Sequence, residues 1–183
     1  MKIEQLNEAV SYRVVEIRRS DQEGLYDFCD FYNESDQLSW TLTPSRLLGK
    51  IGSTGRLYAL QYDDKLVGTL GLKQADVTSD SFEIGYIMIA DAHRSLKNVM
   101  SLYKAAKKRI KSASLVYATT NRDNLTINKL MEFTRKFKKV ALVRSTFSTN
   151  QLYLWVSTQA GDIEENTKIL LNDYGSHIIR IER

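Results

Sequence analysis

The chain has 183 residues, of which 43% are hydrophobic and 26% charged, and it carries a net charge of +4. This size and composition predict one globular domain with a buried core and argue against wholesale disorder. One cysteine, Cys29, and two histidines exclude an internal disulfide framework and argue against a His/Cys metal site. No apolar run reaches the roughly 20 residues of a membrane span, and residues 1–5 lack the apolar segment of a signal peptide. We therefore expect a cytoplasmic protein without a resident metal or a membrane partner.

The first half of the sequence predicts a strand, two helices and a β-hairpin. The strand alternates apolar and polar residues, and each helix begins at a cluster of capping or acidic residues. The hairpin consists of two β-prone runs around Asp63-Asp64-Lys65. The strand is expected at 11–18. The first helix is expected from 20–23 through Tyr32, with Cys29 in its core, and the second at 43–52. The hairpin strands are expected at 56–62 and 66–72, followed by a polar loop over 75–80.

The second half predicts alternating strands and helices. In chain order we expect a central strand at 81–90, a helix with the apolar stripe Leu96 to Ile110, a strand at 114–119, a cap-rich turn at 121–124, a helix with the stripe Ile127 to Phe137, a hairpin of 140–147 and 152–157, a helix at 162–172 and a strand at 177–182. A strand–helix–strand unit at the centre predicts a right-handed parallel crossover, and the hairpins on either side predict a mixed sheet. The fold class is therefore α/β.

Two segments resemble parts of the Gcn5-related N-acetyltransferase (GNAT) superfamily. Residues 82–89 are similar to its fourth strand, with Glu83 where the histone acetyltransferase branch has a glutamate, and 116–124 resemble its fifth strand and asparagine-led loop. The order of elements over 11–157 also matches. The resemblance implies a divergent GNAT domain over 1–183, with a phage-type member as one option. Its sheet would be mixed and mostly antiparallel, with flanking helices and a central parallel βαβ crossover, and 158–183 would form a C-terminal helix–strand extension.

The loop that holds the coenzyme in this family reads Gln/Arg-x-x-Gly-x-Gly/Ala and matches Arg94–Val99 here. Arg94 keeps the first position, whereas Lys97 and Val99 replace the small residues that let backbone amides approach a pyrophosphate. The charge of Lys97 would attract the phosphates, and the side chain of Val99 would crowd them. The resemblance implies that acetyl-CoA is bound, as a cosubstrate, by Arg94, Lys97, Asn98, Val99 and Asn124 and by the backbone of Ile87 and Ile89.

Amine acetylation needs a base, because an ammonium group has no lone pair with which to attack. Burial on a strand can raise the pKa of a carboxylate enough for it to take this role, and Glu83 is the candidate general base. The family's usual tyrosine acid would fall at Met131, so the acid is missing. Tyr103, Tyr117 and Tyr153 are the candidate substitutes.

Two functions of different classes remain open at this stage. The first is an N-acetyltransferase whose acceptor is a primary amine of a small molecule, a protein lysine, a protein N-terminus, a polyamine or a modified nucleotide. The second is a GNAT-fold protein without catalysis that serves as a structural or accessory component, for example of a phage virion in its host cytoplasm. Nucleic-acid binding rests only on the lysines and arginines of 94–144, because no recognition motif supports it. A homo-oligomer or a protein partner could pair with the C-terminal strand.

Overall fold

The computed structural model describes residues 11–35, 41–78, 80–145 and 149–182. The expectation about residues 1–5 and the tip of the last predicted hairpin, 146–148, therefore lie outside the described residues. In chain order the elements are β1 (Tyr12–Ile17), α1 (Gln22–Ser35), α2 (Pro44–Ile51), β2 (Arg56–Tyr62), β3 (Lys65–Ala75), β4 (Ser81–Ile89), α3 (Leu96–Ser112), β5 (Leu115–Asn121), α4 (Leu125–Thr134), β6 (Phe137–Arg144), β7 (Gln151–Ser157), α5 (Ile163–Tyr174) and β8 (Ile178–Ile181).

The strands form one mixed sheet in the order β1-β2-β3-β4-β5-β7-β6-β8. Neighbouring strands are antiparallel except β4 and β5, which are parallel and are joined by α3. The predicted α/β class, the mostly antiparallel sheet and the central parallel crossover are thus confirmed. The predicted C-terminal helix and strand are also present, and β8 extends the sheet by pairing with β6.

Several boundaries differ from the sequence prediction, and two of them bear on the site. The stripe Ile127 to Phe137 was wrong at its end, because α4 stops at Thr134 and Phe137 begins β6. Arg135 takes a left-handed conformation with φ 51°, which ends the helix, and the ring of Phe137 packs 6.0 Å from that of Tyr103. The loop predicted at 75–80 was also too long, since β3 continues through Ala75.

The two faces of the sheet are covered differently. On one face α3 and α4 cover one continuous core that contains Phe82, Ile84 and Trp155. On the other face α1 and α2 pack over the β1–β3 half, and α5 packs over the β5–β7–β6 half, as two separate clusters. Side chains alternate between the faces of a strand, so Glu83, between Phe82 and Ile84, lies on the face with two clusters. This face and the neighbouring strands β4 and β5 position the candidate site.

Candidate active site

Strands β4 and β5 pair over only part of their length and then separate. Their partners run from Ser81 with Leu115 to Ile84 with Ala118, and no pair joins the described residues beyond that point. A bulge in β4 accompanies the separation: Gly71 of β3 pairs with Gly85 and Thr69 pairs with Met88, so one residue of β3 faces two of β4. The central sheet is therefore open on the C-terminal side of these two strands.

Backbone strain is concentrated at this bulge. Tyr86 has φ 52°, a left-handed conformation that costs a non-glycine residue about 1–2 kcal/mol. The hydroxyl of Thr69, which is fully buried, donates a hydrogen bond of 2.8 Å to the carbonyl of Tyr86 and so holds the bulge. Such strain persists where the surroundings impose it, and it is commonly found at functional sites.

A cleft of about 220 Å³ begins where the strands separate and continues between α3 and α4. Its walls are mostly apolar, and Tyr32 of α1 reaches it from the other face of the sheet. The lining includes Ile87, Val99, Met100, Asn124, Ile127 and Met131. The cleft therefore passes through the plane of the sheet at the split.

Three of the residues predicted to bind coenzyme line this cleft, namely Ile87, Val99 and Asn124. Asn124 also caps α4, because its side-chain oxygen accepts a hydrogen bond of 3.2 Å from the amide of Ile127. Buried Asn128 holds the same turn, since its amide nitrogen donates to the carbonyls of Asn121 and Arg122. The position of Asn124 at the cleft is thus fixed by its own helix.

The other predicted coenzyme residues lie outside the cleft lining. Ile89 is buried and pairs with Gly68 on β3. Asn98 is buried and its side chain donates to the carbonyl of His93 at 2.7 Å, which fixes the turn before α3. Arg94 forms an exposed ion pair with Asp91, and Lys97 is exposed in the first turn of α3.

The N-terminus of α3 nevertheless has the features of an anion-binding helix start. Ser95 caps the helix by accepting from the amide of Asn98, and the first amides, of Leu96 and Lys97, have no acceptor within the helix. Such amides and the helix dipole favour a negatively charged group. Val99 follows in the same turn and is the residue through which this helix start meets the cleft.

Glu83 is held by two partners on the opposite face of the sheet from α3. Its Oε2 lies 2.6 Å from Nζ of Lys73, and its Oε1 accepts a hydrogen bond of 3.0 Å from the hydroxyl of Thr119. The Glu83 side chain is 18% exposed. Glu83 does not line the cleft itself, but Thr119 does. The carboxylate is therefore one hydrogen bond away from the cleft.

Two tyrosines near Glu83 feel its charge. Burial raises the pKa of Tyr117 and of Tyr174, and the neighbouring Glu83 carboxylate raises both further. Their rings, from β5 and the last turn of α5, are 6.4 Å apart in an edge-on arrangement. Both phenols therefore stay protonated at neutral pH.

Paired glycines make room for the side chains at the split. A Cβ on Gly71 would lie 2.9 Å from Cδ2 of Tyr86, and a Cβ on Gly85 would lie 3.2 Å from Cε of Lys73. Because Gly71 and Gly85 face each other across β3 and β4, the ring of Tyr86 and the chain of Lys73 can both lie flat on the sheet.

Solved structures share this arrangement of strands and helices. No family model matches the sequence, and no curated protein matches it. An acetyltransferase of the GNAT family from Streptococcus pneumoniae aligns with a TM-score of 0.62 at 14% identity, over 80% of this chain and 98% of that one. The chain has the GNAT fold.

Two further structures with this fold have named substrates. The ribosomal-protein-S18-alanine N-acetyltransferase of Escherichia coli aligns with a TM-score of 0.63 at 9% identity, over 84% of this chain and 97% of that one. The aminoglycoside 6'-N-acetyltransferase of Enterococcus faecium aligns with a TM-score of 0.63 at 13% identity, over 82% of this chain and 98% of that one. At these identities the likeness concerns the fold.

Of the three tyrosines predicted as substitutes for the GNAT acid, one lies in the cleft. Met131, where the family's tyrosine would fall, lines the cleft. Tyr103 lines it too, its hydroxyl donates to Gln159 at 2.9 Å, and burial raises its pKa to about 12. Tyr117 lies on the opposite face, and Tyr153 packs edge-on against Trp155 away from the lining.

Sequence reasoning missed four residues of this GNAT-fold site: Lys73, Thr119, Tyr32 and Tyr86. One of them could have been found from register. With a five-residue connection over 76–80, Ala75 pairs with Ser81 and Lys73 with Glu83. The prediction ended the hairpin's second strand at Leu72 and so left Lys73 outside the sheet.

Within the described part of the chain, no helix is both long and apolar enough to cross a membrane. The same residues contain no group of three His, Cys, Asp or Glu side chains placed to hold a metal ion.

Proposed function

We propose that the protein is an N-acetyltransferase that moves the acetyl group of acetyl-CoA to a primary amine in the cytoplasm. The observation that carries the proposal is the separation of β4 and β5, which opens an apolar cleft one hydrogen bond from Glu83. Acyl transfer to an amine requires a cleft that holds the thioester and a base near its carbonyl carbon that takes the proton of the amine. The GNAT fold of the chain and the named acetyltransferases that share it support the same activity.

The cleft fits the narrow arm of coenzyme A. Its volume of about 220 Å³ is below the roughly 300–1,000 Å³ of pockets that hold drug-sized ligands. Val99 and Met100 of α3 and Ile127 of α4 would contact the pantetheine arm along the cleft. The diphosphate would stay outside at the start of α3, where the first-turn amides and Lys97 supply positive potential. Val99 would lie between the pantetheine arm and the diphosphate.

Glu83 is the base in this proposal. A lysine-type amine has a pKa of about 10.4 and is protonated at neutral pH, so it must lose a proton before it attacks. Glu83 would accept this proton directly or through water. Lys73 and Thr119 hold its two oxygens and fix the orientation of the carboxylate.

The strained bulge is the candidate site for stabilising charge on the thioester oxygen. Backbone amides that no longer pair with a neighbouring strand can serve as donors to a developing oxyanion. β4 has left β5 beyond Ile84, and Ile87 lies in the cleft directly after the left-handed Tyr86. The amide of Ile87 is our candidate donor.

Tyr103 is the candidate acid for the departing thiolate. It lines the cleft, and a pKa of about 12 keeps its hydroxyl protonated at neutral pH. Gln159 accepts from this hydroxyl and orients it.

A thiol-release assay tests the proposal. The protein would be incubated with acetyl-CoA and a panel of primary amines: a lysine peptide, a free peptide N-terminus, a polyamine and an aminoglycoside. We expect release of free thiol with at least one amine, and Glu83→Gln should lower the rate by about 100-fold or more, as loss of a general base does. Glu164→Gln, in the exposed first turn of α5, is the matched control. Equal rates for wild type and Glu83→Gln would remove Glu83 from the role of base.

The second candidate function is a GNAT-fold protein without catalysis, a structural or accessory component such as one of a phage virion. Two observations favour it: the Val99 side chain lines the cleft where the family motif has a small residue, and Lys73 is already paired with Glu83. This candidate predicts no thiol release with any amine and no binding of acetyl-CoA. Under it, the next experiment would be capture of a protein partner or a test of self-association.

A further inference from the structure

Lys73 is an amine that already lies against the proposed base. Its Nζ is 2.6 Å from the Glu83 carboxylate, and its side chain is 26% exposed. It also crosses the strand backbone at the split, since a Cβ on Gly85 would be 3.7 Å from Nζ. Gly85 and Tyr86 line the cleft, and Nζ lies 6.0 Å from the centre of the Tyr86 ring.

We propose that Lys73 is acetylated by the protein itself. This inference rests on the proposed acetyl transfer and names an acceptor that is part of the chain. An amine beside the base and near the split between β4 and β5 does not have to diffuse to the thioester. An intramolecular reaction gains a large rate advantage from this.

The nitrogen of Lys73 loses two protons in this transfer. The carboxylate of Glu83 takes one proton from the Lys73 ammonium, and the freed Nζ lone pair forms a bond to the thioester carbonyl carbon. The carbon–sulfur bond breaks, the thiolate of coenzyme A takes the second proton that the nitrogen loses, and Lys73 becomes a neutral amide. Glu83 then returns its extra proton to solvent.

The modification would alter the site that performs it. An acetylated lysine carries no charge, so the ion pair between Lys73 and Glu83 would be lost. Glu83 would keep the hydrogen bond from Thr119 and gain freedom to take a proton from an external amine. Acetylation of Lys73 would therefore convert a carboxylate occupied by its own lysine into one available to a substrate.

Other lysines allow the inference to be tested sharply. Lys50 of α2 is the competing amine, because partial burial lowers its pKa, with help from the positive charges of Lys73 and Arg46. Lys65 begins β3 at the exposed turn, and its acetylation rate reports the chemical reaction with the thioester alone. Purely chemical labelling would favour exposed lysines over Lys73.

The experiment is peptide mapping by mass spectrometry after incubation of the full chain with acetyl-CoA and no added amine. We expect Lys73 to gain one acetyl group at least about tenfold faster than Lys65, at a rate independent of protein concentration. Lys73→Arg, which keeps the ion pair, should abolish the fast phase, and so should Glu83→Gln. Lys50→Arg and Lys65→Arg should leave it unchanged.

Two results would overturn the inference while leaving the proposed function intact. The first is thiol release with external amines while Lys73 stays unmodified. The second is a fast phase that maps to Lys50 or survives Lys73→Arg. Absence of both Lys73 acetylation and thiol release with every amine would instead contradict the proposed function.

Discussion

The two faces of the sheet at the split differ in kind. On the α3 and α4 face the cleft is walled by apolar side chains such as Val99, Met100 and Met131. On the other face, Glu83 of β4 forms an ion pair with Lys73 and accepts a hydrogen bond from Thr119. Glu83 is two residues before Gly85, which lines the cleft. One strand therefore separates a region suited to binding from a region suited to proton transfer.

The difference shows how two parallel strands that separate, β4 and β5, can bring an apolar cleft close to a polar cluster. Ion pairs in the interior cost desolvation unless hydrogen bonds satisfy them, so a polar cluster is best placed between cores rather than inside one. Glu83 lies between the α1/α2 cluster and the α5 cluster, where its face of the sheet has a gap. On the α3 and α4 face the buried residues form one continuous cluster instead of two.

Blocking the apolar side should have the largest effect. We expect Val99→Trp to fill the entrance of the cleft and remove stabilisation by acetyl-CoA. A ligand at 100 times its dissociation constant stabilises the wild type by about 2.7 kcal/mol, which is roughly 5–10 °C in melting temperature for a chain of this size. Lys104→Trp, on the exposed face of α3, is the control and should keep the shift. An undiminished shift in Val99→Trp would place the coenzyme elsewhere.

The junction between the two sides depends on Gly71. Gly71→Ala should lower the free energy of unfolding by about 1–3 kcal/mol, because the new Cβ overpacks against the Tyr86 ring and the Ile51 side chain. Urea denaturation measures this. Gly49→Ala, in α2 with open space around its Cβ, should instead stabilise by about 0.4–1 kcal/mol. A neutral Gly71→Ala would show that the ring of Tyr86 moves freely at the bulge.

The charged side depends on the hydroxyl of Thr119. Thr119→Val keeps the shape of the side chain and removes the hydrogen bond to Glu83, so the carboxylate is held by Lys73 alone. We expect kcat to fall about tenfold with little change in KM, as loss of a hydrogen bond to a charged group implies. Thr167→Val, whose hydroxyl bonds only within α5, should leave both constants unchanged. A change confined to KM would assign Thr119 to binding.

The smallest effect is a slope of stability with alkaline pH. Burial and the Asp30 charge raise the pKa of Cys29 from 9.0 to about 11. Between these values the unfolded chain has lost the thiol proton and the folded chain still holds it, so the free energy of unfolding falls as pH rises. Cys29→Ala should flatten this fall between pH 9 and 11 in urea denaturation at fixed pH values. Parallel curves for both proteins would contradict the raised pKa.

Parts of the structure that depend on local pattern could be predicted from the sequence. The apolar stripe of α3 between two buried strands predicted the parallel crossover, and the cap-rich turn predicted at 121–124 does contain the cap of α4, Asn124. Parts that depend on register or on one unusual backbone angle could not. Phe137 was placed in a helix because nothing in the sequence marks the left-handed Arg135.

The site divides in the same way. Glu83 could be named because its own strand is distinctive, whereas Lys73 required the exact pairing of β3 with β4. The predicted coenzyme residues of 94–98 follow a motif whose spacing is kept while its glycines are absent. Ser95 and Asn98 instead cap and fix the start of α3.

Hydrogen exchange with and without acetyl-CoA tests the central claim, that the split between β4 and β5 is the acetyl-CoA site. Peptides covering 84–89 and 118–124 contain the diverging strand ends and the turn that leads into α4, and a peptide over 139–144 lies within β6 as an internal reference. The account predicts slower exchange in the first two peptides on addition of acetyl-CoA and no change in the reference. Unchanged exchange in the first two peptides at millimolar acetyl-CoA would contradict it.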